Sequence, residues 1–139
     1  MSKYGYYVLV VEDNPINQTV MRAMLTNLGC KVDLAANGKE AIKLFEEREY
    51  DLIFMDIGLP DMDGLQVTRS LIGLKKQLKR KTIPIIALTA HVMEDDRKNC
   101  LNAGMTEMLT KPIVHAKLVG ILKSVMRDLT LRYSSSASD

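Results

Sequence analysis

The sequence predicts an α/β fold: one doubly wound sheet of five parallel strands, with five helices covering its two faces. Three observations carry this. Short apolar runs alternate with amphipathic stretches of helical period along the chain, the pattern of repeated βα units. The runs YVLVV, DLIFM and IPIIAL are apolar throughout rather than alternating, as strands covered on both faces must be. A length of 139 residues, 47% hydrophobic and 26% charged, suits one domain with a packed core and excludes wholesale disorder.

Each element has its own local warrant. Tyr7–Val11 is the first strand. Pro15–Leu28 is the first helix: Ile16, Val20, Met24 and Leu28 recur every fourth residue, and Met21 and Leu25 widen the stripe. Pro15 suits the first turn and Gly29 the C-terminal cap. Lys31–Ala35 is a second, weaker strand. Asn37-Gly38 opens a helix that runs to about Glu47, and Asp51–Met55 is the third strand. Asp63 and Gly64 precede a helix reaching Leu78, and Ile83–Leu88 is the fourth strand. Met93–Ala103 is a helix closed by Gly104; its apolar stripe is thin, so loose docking is expected. Thr106–Thr110 is a short fifth strand. Ile113–Leu131 is the last helix, with Val114, Leu118, Ile121, Leu122, Val125 and Leu129 on one face. The polar tail ending in Ser134–Asp139 is expected to fray.

Composition narrows the function. Lys plus Arg number 19 and Asp plus Glu 17, a net charge of +2, too balanced to imply a nucleic-acid or membrane partner. Two Phe, five Tyr and no Trp make no stacking platform for bases. Two cysteines, Cys30 and Cys100, support neither a disulfide framework nor a cysteine-based zinc cluster; both read as small buried fillers. With no apolar run of about 20 residues and no apolar leader in MSKYGYY, the expected compartment is the cytoplasm, and the Asn17-Gln18-Thr19 sequon is chance.

In such a fold the functional crevice lies beyond the carboxyl ends of the strands. Glu12 and Asp13 follow the first strand, Asp56 the third, Thr89 and Ala90 the fourth, and Lys111, with Pro112 after it, the fifth. If the first and third strands are neighbours, three carboxylates converge and repel one another. A hard, oxygen-seeking cation such as Mg²⁺ offsets that repulsion. A lysine at the rim adds a point charge suited to phosphate, and Thr89 and Ala90 can donate hydrogen bonds. The constellation suits phosphoryl transfer to a carboxylate, with Asp56, opposite the Glu12-Asp13 pair, as acceptor.

Four separated segments in order carry a resemblance: VLVVEDNPINQTVMRAMLTNLGCKVDLAANGKEAI, DLIFMDIGLPDMDG, PIIALTAH and LTKPI. Over roughly Val8 to Met126 the chain resembles the receiver domain of response regulators, and VEDNPINQ, LTAHVMEDDRKNCLNAGM and TKPI look most like receivers of hybrid sensor histidine kinases. The resemblance implies a flavodoxin-like sheet of order 2-1-3-4-5, a receiver domain over residues 4–131 and a C-terminal tail over 132–139. It implies that Asp56 is the phosphoacceptor and that Asp13 ligates Mg²⁺, with Glu12 acting largely through water and the Gly58 carbonyl completing the site. Thr89 and Lys111 would engage the phosphoryl group, with Lys111 on Asp56 at rest, and Lys111-Pro112 would be cis. Gly58 and His91 stand where the family tunes phosphoryl lifetime. Met108 stands where the family usually carries a Tyr or Phe switch, so readout must proceed without a ring. The implied partners are a histidine kinase, a histidine phosphotransfer protein or both, and the implied state is a monomer or weak dimer.

Other readings compete. Asp61-Met62-Asp63-Gly64 superficially resembles the DxDG motif of aspartate-nucleophile phosphatases, but it follows Pro60 rather than the first strand; Asp61 and Asp63 read as loop and cap before a helix. A flavin carrier of the same fold class lacks the aromatics and would set Glu12-Asp13 against a phosphate. A receiver used only for binding is disfavoured by the intact acid, hydroxyl and lysine set. Lys75, Lys76, Lys79, Arg80 and Lys81 read as dipole complementation and solvation at a helix end, and His115 as a surface residue.

Overall fold

A computed structural model describes residues 5–90 and 94–125. Strands β1 (Tyr7–Val11), β2 (Lys31–Ala35), β3 (Leu52–Asp56), β4 (Ile85–Thr89) and β5 (Glu107–Thr110) form one parallel sheet in the order β2-β1-β3-β4-β5. The helices are α1 (Pro15–Asn27), α2 (Gly38–Glu47), α3 (Gly64–Gln77), α4 (Glu94–Ala103) and α5, which covers residues 115–125 of the described chain. The chain moves outward from β1 to β2, then crosses back to β3 and continues the other way. The order therefore reverses between β1 and β3, and a crevice opens there.

Alternation along the strands builds two cores. Val8, Val10, Phe54, Leu88 and Leu109 pack under α1 and α5, against Met21, Leu25, Leu118, Leu122 and Val125. Leu9, Val11, Ile53, Met55 and Ala87 pack under α2, α3 and α4, against Ala41, Phe45, Val67, Leu71 and Cys100. Both cysteines are buried and free, as expected.

The helix ends follow their capping chemistry. Asn14, Asn37 and Asp63 are the N-caps of α1, α2 and α3. Helix α1 closes with Gly29 at φ 90° and the Cys30 N–H on the Leu25 carbonyl at 2.9 Å; α4 closes the same way through Gly104, at φ 106°. Helix α3 makes the same reversal without a glycine: Lys79 takes φ 56°, and the Arg80 N–H reaches the Lys75 carbonyl at 3.0 Å.

Several expectations need correction. Strand β4 begins at Ile85, not Ile83, because Pro84 has no N–H for the ladder; it offers only its carbonyl, to the Ile53 N–H at 3.1 Å. Asp56 and Thr89 are the last residues of β3 and β4 rather than the residues after them, and β5 starts one residue late. Ile16 and Val20 of the α1 stripe are 73% and 39% exposed, and Val114 is 49% exposed. The core-facing stripe of α1 is instead Met21 and Leu25, with Met24 and Leu28 beside it. Met93, His91 and Leu129 lie outside the described residues, as does the tail. His115 is on the surface.

The basic run is not simply solvated: Lys75 donates to the Thr82 hydroxyl at 2.7 Å, Lys81 lies 3.8 Å from Asp51, and Arg80 is the most engaged. It reaches across to α2, donating to the carbonyls of Phe45, Glu46 (2.9 Å) and Arg48 (3.1 Å), with its guanidinium 5.4 Å from the Phe45 ring centroid. Asp61 likewise serves a different helix from the one it precedes. Its carboxylate accepts the Gly38 and Lys39 N–H groups at 2.9 and 3.2 Å, at the N-terminus of α2. At the far end of the sheet Asp33 accepts from Tyr7 (2.6 Å), Tyr50 (2.7 Å) and Arg48 (2.7 Å), tying β2 to the strands and helix around it.

Candidate active site at the carboxyl ends of the strands

The sheet brings the predicted residues together. Val11 is in register with Met55, and Asp56 with Leu88, so Glu12 and Asp13 emerge beside Asp56 on the neighbouring strand. The Lys111 N–H bonds the Thr89 carbonyl at 2.7 Å, carrying the β4–β5 ladder one step further and delivering the lysine to the same end. One carboxylate oxygen each from Glu12, Asp13 and Asp56 lie within 4.8 Å of one another; among the described residues no other set of three metal-binding side chains meets this way. The Lys111-Pro112 bond is cis.

Lys111 sits between two of the acids. Its Nζ is 2.8 Å from Glu12 Oε1 and 2.9 Å from Asp56 Oδ2. The other Asp56 oxygen accepts the Gly58 N–H at 2.8 Å. Glu12 is 1% exposed and Asp56 5%. Burial pushes the Glu12 carboxyl above the usual carboxylate range, and the neighbouring charge of Asp56 adds to this, against Lys111. Burial would also raise Asp56, but the Gly58 N–H and the Lys111 ammonium that it accepts from outweigh this and hold Asp56 below its ordinary value. Burial works against the Lys111 charge, yet its bonds to Glu12 and Asp56 prevail and it holds its proton more tightly than usual. The Gly58 N–H and the Lys111 ammonium thus both favour the ionised form of Asp56.

The donor set fits a divalent cation. Three clustered carboxylates outnumber the one ammonium beside them, and every available ligand is a hard oxygen. Asp13 is exposed, whereas Glu12 is buried.

The remaining predicted residues fall around this cluster. Thr89 is buried at the end of β4, and Ala90 is exposed beside it. Met108 is half-buried on β5, in register with Ala87, and packs into the core under α2, α3 and α4. Thr89 is two residues beyond Ala87, so Met108 and Thr89 are diagonal neighbours on one face of the sheet. Asp61 and Asp63 are occupied as helix caps, away from the cluster, which removes the basis of the DxDG reading. A groove of about 250 Å³ leads from Glu12 and Lys111 between Ile16 and Val20 on one side and Pro112 and Ile113 on the other. A cavity of similar volume at the opposite end, between Phe45, Leu71 and Ile83, is lined by no carboxylate and offers no acceptor.

Sequence reasoning missed three contributors. Gly64 lets α3 start against the strand that ends in Asp56: a Cβ there would lie 2.3 Å from the Asp56 carbonyl oxygen. Asn14 and Asn17 both donate to the Glu12 carboxylate. The Asn-Pro pair was the available signal for Asn14 as an N-cap; nothing local marks Asn17.

Among the described residues no helix is long and apolar enough to cross a membrane. Residues 8–123 match the model of the response regulator receiver domain. The chain is 40% identical over 119 residues to hybrid signal transduction histidine kinase L of Dictyostelium discoideum, and 43% identical over 116 residues to the aerobic respiration control sensor protein ArcB of Escherichia coli K12. Each match covers 84% of this chain but only 7% and 14% of those proteins, so the chain spans a small part of their length. Among solved structures, the receiver domain of the Pseudomonas aeruginosa PAO1 sensor histidine kinase PA1611, crystallised with a magnesium ion in its active-site cleft, is 48% identical with a TM-score of 0.75, over 86% of this chain and 96% of that one. The Saccharomyces cerevisiae Ssk1 receiver, crystallised with the histidine phosphotransfer protein Ypd1, is 32% identical with a TM-score of 0.79, over 88% and 89%. By sequence along nearly all of its strands and by the path of its backbone, this chain belongs to the response regulator receiver domain family.

Proposed function

We propose that this chain is the receiver of a phosphorelay, spanning residues 4–131, and that it takes a phosphoryl group from phosphohistidine onto Asp56. The observation that carries this is the lysine bridge: one ammonium held between Glu12 and Asp56, with Asp13 completing the acid cluster. In the transfer an Asp56 carboxylate oxygen bonds to phosphorus as the phosphorus–nitrogen bond breaks, and the electron pair returns to the imidazole. Asp13, Asp56 and the Gly58 carbonyl would hold Mg²⁺, with Glu12 behind them; when bound, the ion neutralises charge on the phosphoryl oxygens. Lys111 is displaced from Asp56 as that oxygen becomes esterified and pairs with the phosphoryl group instead. Thr89 and the Ala90 N–H donate to the remaining oxygens. The pull on Thr89 is passed along its face of the sheet to Met108, whose unbranched side chain repacks rather than rotating as a ring. Gly58 and His91 are the positions that set how long the acyl phosphate survives.

The partner is a histidine kinase, a histidine phosphotransfer protein or both. A phosphohistidine must reach Asp56 from outside, and the apolar groove beside Lys111, walled by the exposed Ile16 and Val20, is the contact that guides it. The near-neutral net charge supports a protein partner over nucleic acid, and the two free buried thiols are consistent with a reducing cytoplasm. The test is labelling from a small phosphodonor, followed by intact mass. One phosphoryl group should be gained with Mg²⁺ and none with excess chelator or in Asp56→Asn. Equal labelling of Asp56→Asn overturns the assignment. Ile16→Glu should keep that labelling while slowing transfer from a phosphotransfer protein at least tenfold.

A further inference from the structure

We infer that Asn17 is a positioning residue for the metal side of this site, acting through Glu12. The inference rests on the reading of Glu12, Asp13 and Asp56 as the Mg²⁺ site. The buried Glu12 carboxylate is held at both oxygens. Oε1 accepts Lys111 Nζ at 2.8 Å and Asn17 Nδ2 at 3.1 Å; Oε2 accepts the Asn14 N–H at 3.2 Å. The Glu12 carbonyl accepts Gln18 Nε2 at 2.6 Å, which fixes the backbone beneath it.

The Asn17 side chain is not needed to start α1. Asn14 already caps that helix, taking the Ile16 and Asn17 N–H groups at 2.9 and 3.0 Å. The amide is therefore free of helix duty, and it is spent on the one acid that Lys111 also holds. That sharing has a consequence. A neutral donor on Oε1 competes with the ammonium for the oxygen's lone pairs and fixes the plane of the carboxylate. Without it, Oε1 has Lys111 as its remaining partner and the ion pair tightens, so an incoming cation must compete against a better-held lysine. When Lys111 moves to the phosphoryl group, Asn17 remains to hold Glu12 in place. Partners hydrogen-bonded to direct ligands are worth about 10–100-fold in metal affinity; Glu12 acts largely through water, so Asn17 stands further out and the lower end of that range applies.

The test replaces the amide with a side chain of similar size and no donor, Asn17→Leu, in the full chain. Mg²⁺ affinity is read from amide chemical-shift titration with MgCl₂ alone, with no phosphodonor. The dissociation constant should rise about tenfold. Labelling from the small phosphodonor should then need correspondingly more Mg²⁺, with the plateau rate within about twofold of wild type. Thr19→Ala, which alters an exposed hydroxyl bonded to the Pro15 carbonyl, should leave both unchanged. A merely structural asparagine would lower the melting temperature and leave the Mg²⁺ titration alone. An Asn17→Leu titration within twofold of wild type overturns the inference and leaves the site reading intact. Wild type that binds no Mg²⁺, or Asp13→Asn that binds it equally well, overturns the site reading and the inference together. Should Asn17→Leu melt below the assay temperature, Asn17→Ala and Asn17→Gln decide the matter: the affinity must be weak in the first and at least partly restored in the second.

Discussion

The same substitution at two glycines of α3 should have opposite signs. At Gly64 a Cβ would lie 2.3 Å from the Asp56 carbonyl oxygen and 2.6 Å from Ile57 Cα, both backbone atoms at the end of the buried central strand. Ordinary contact needs about 1 Å more than the shorter distance, and β3, paired on both sides, cannot give way. The first turn of α3 must retreat instead, breaking the Gly64 N–H bond to the Ile57 carbonyl, now 3.2 Å. Overpacking of this kind costs about 1–3 kcal/mol, and with backbone on the receiving side the upper end is expected. For a domain of this size about 3 kcal/mol lowers the melting temperature by about 10 °C. At Gly73, exposed on the same helix, a Cβ meets nothing within 4 Å. Alanine there removes only backbone entropy from the unfolded chain and should stabilise by about 0.5–1 kcal/mol. Urea unfolding followed by far-ultraviolet circular dichroism measures both. Gly64→Ala within 0.5 kcal/mol of wild type would refute the close approach. Equal losses at both positions would show that helix propensity, not the contact with β3, decides.

Three further expectations concern stability. Arg80→Met should lose about 2 kcal/mol, since the carbonyls of Phe45, Glu46 and Arg48 at the end of α2 lose a charged donor, and Arg80→Lys should recover less than half because an ammonium cannot fork across them; urea midpoints decide it. Lys79→Gly should gain about 1 kcal/mol by relieving a left-handed lysine, measured the same way. Around Asp33, burial would raise the carboxyl but hydrogen bonds from Tyr7, Tyr50 and Arg48 outweigh it and lower it. Its folded value thus lies below its unfolded one. The contribution is complete above about pH 4 and disappears as pH falls through the folded value. Wild type should lose stability more steeply than Asp33→Asn below pH 4, and Tyr50→Phe should move that loss to higher pH; superimposable profiles would disprove the coupling.

What could be read from the residues was what short-range pattern encodes. Apolar runs and fourfold spacing located the strands and helices, and Asn37 and Asp63 announced their helices because an N-cap acts within three residues. The candidate site was legible for a related reason: a parallel sheet sends every strand's carboxyl end to one side, so Glu12, Asp13, Asp56, Thr89 and Lys111 needed only the right strand order to meet. Contacts decided by that order were not legible. Arg80 looks like one lysine-run member until the loop before β4 is laid across α2, 35 residues away in sequence. Asp61 looks like a loop acid until its partner helix, 23 residues back, is in place. Ile16 and Val20 satisfied helical spacing as well as Met21 and Leu25 did, and only the lie of α1 on the sheet told the core stripe from the groove wall.

Asp61 and Arg80 together make α2 and α3 mechanically one piece. The loop leading into α3 grips one tip of α2, and the loop leaving α3 grips the other, so neither rod can slide or tilt without dragging its companion. Two of the three helices on that face are thus riveted together. At the phosphoacceptor proposed above, a change meets two helices tied to each other, whereas the margin at β4 and β5 carries neither of these ties.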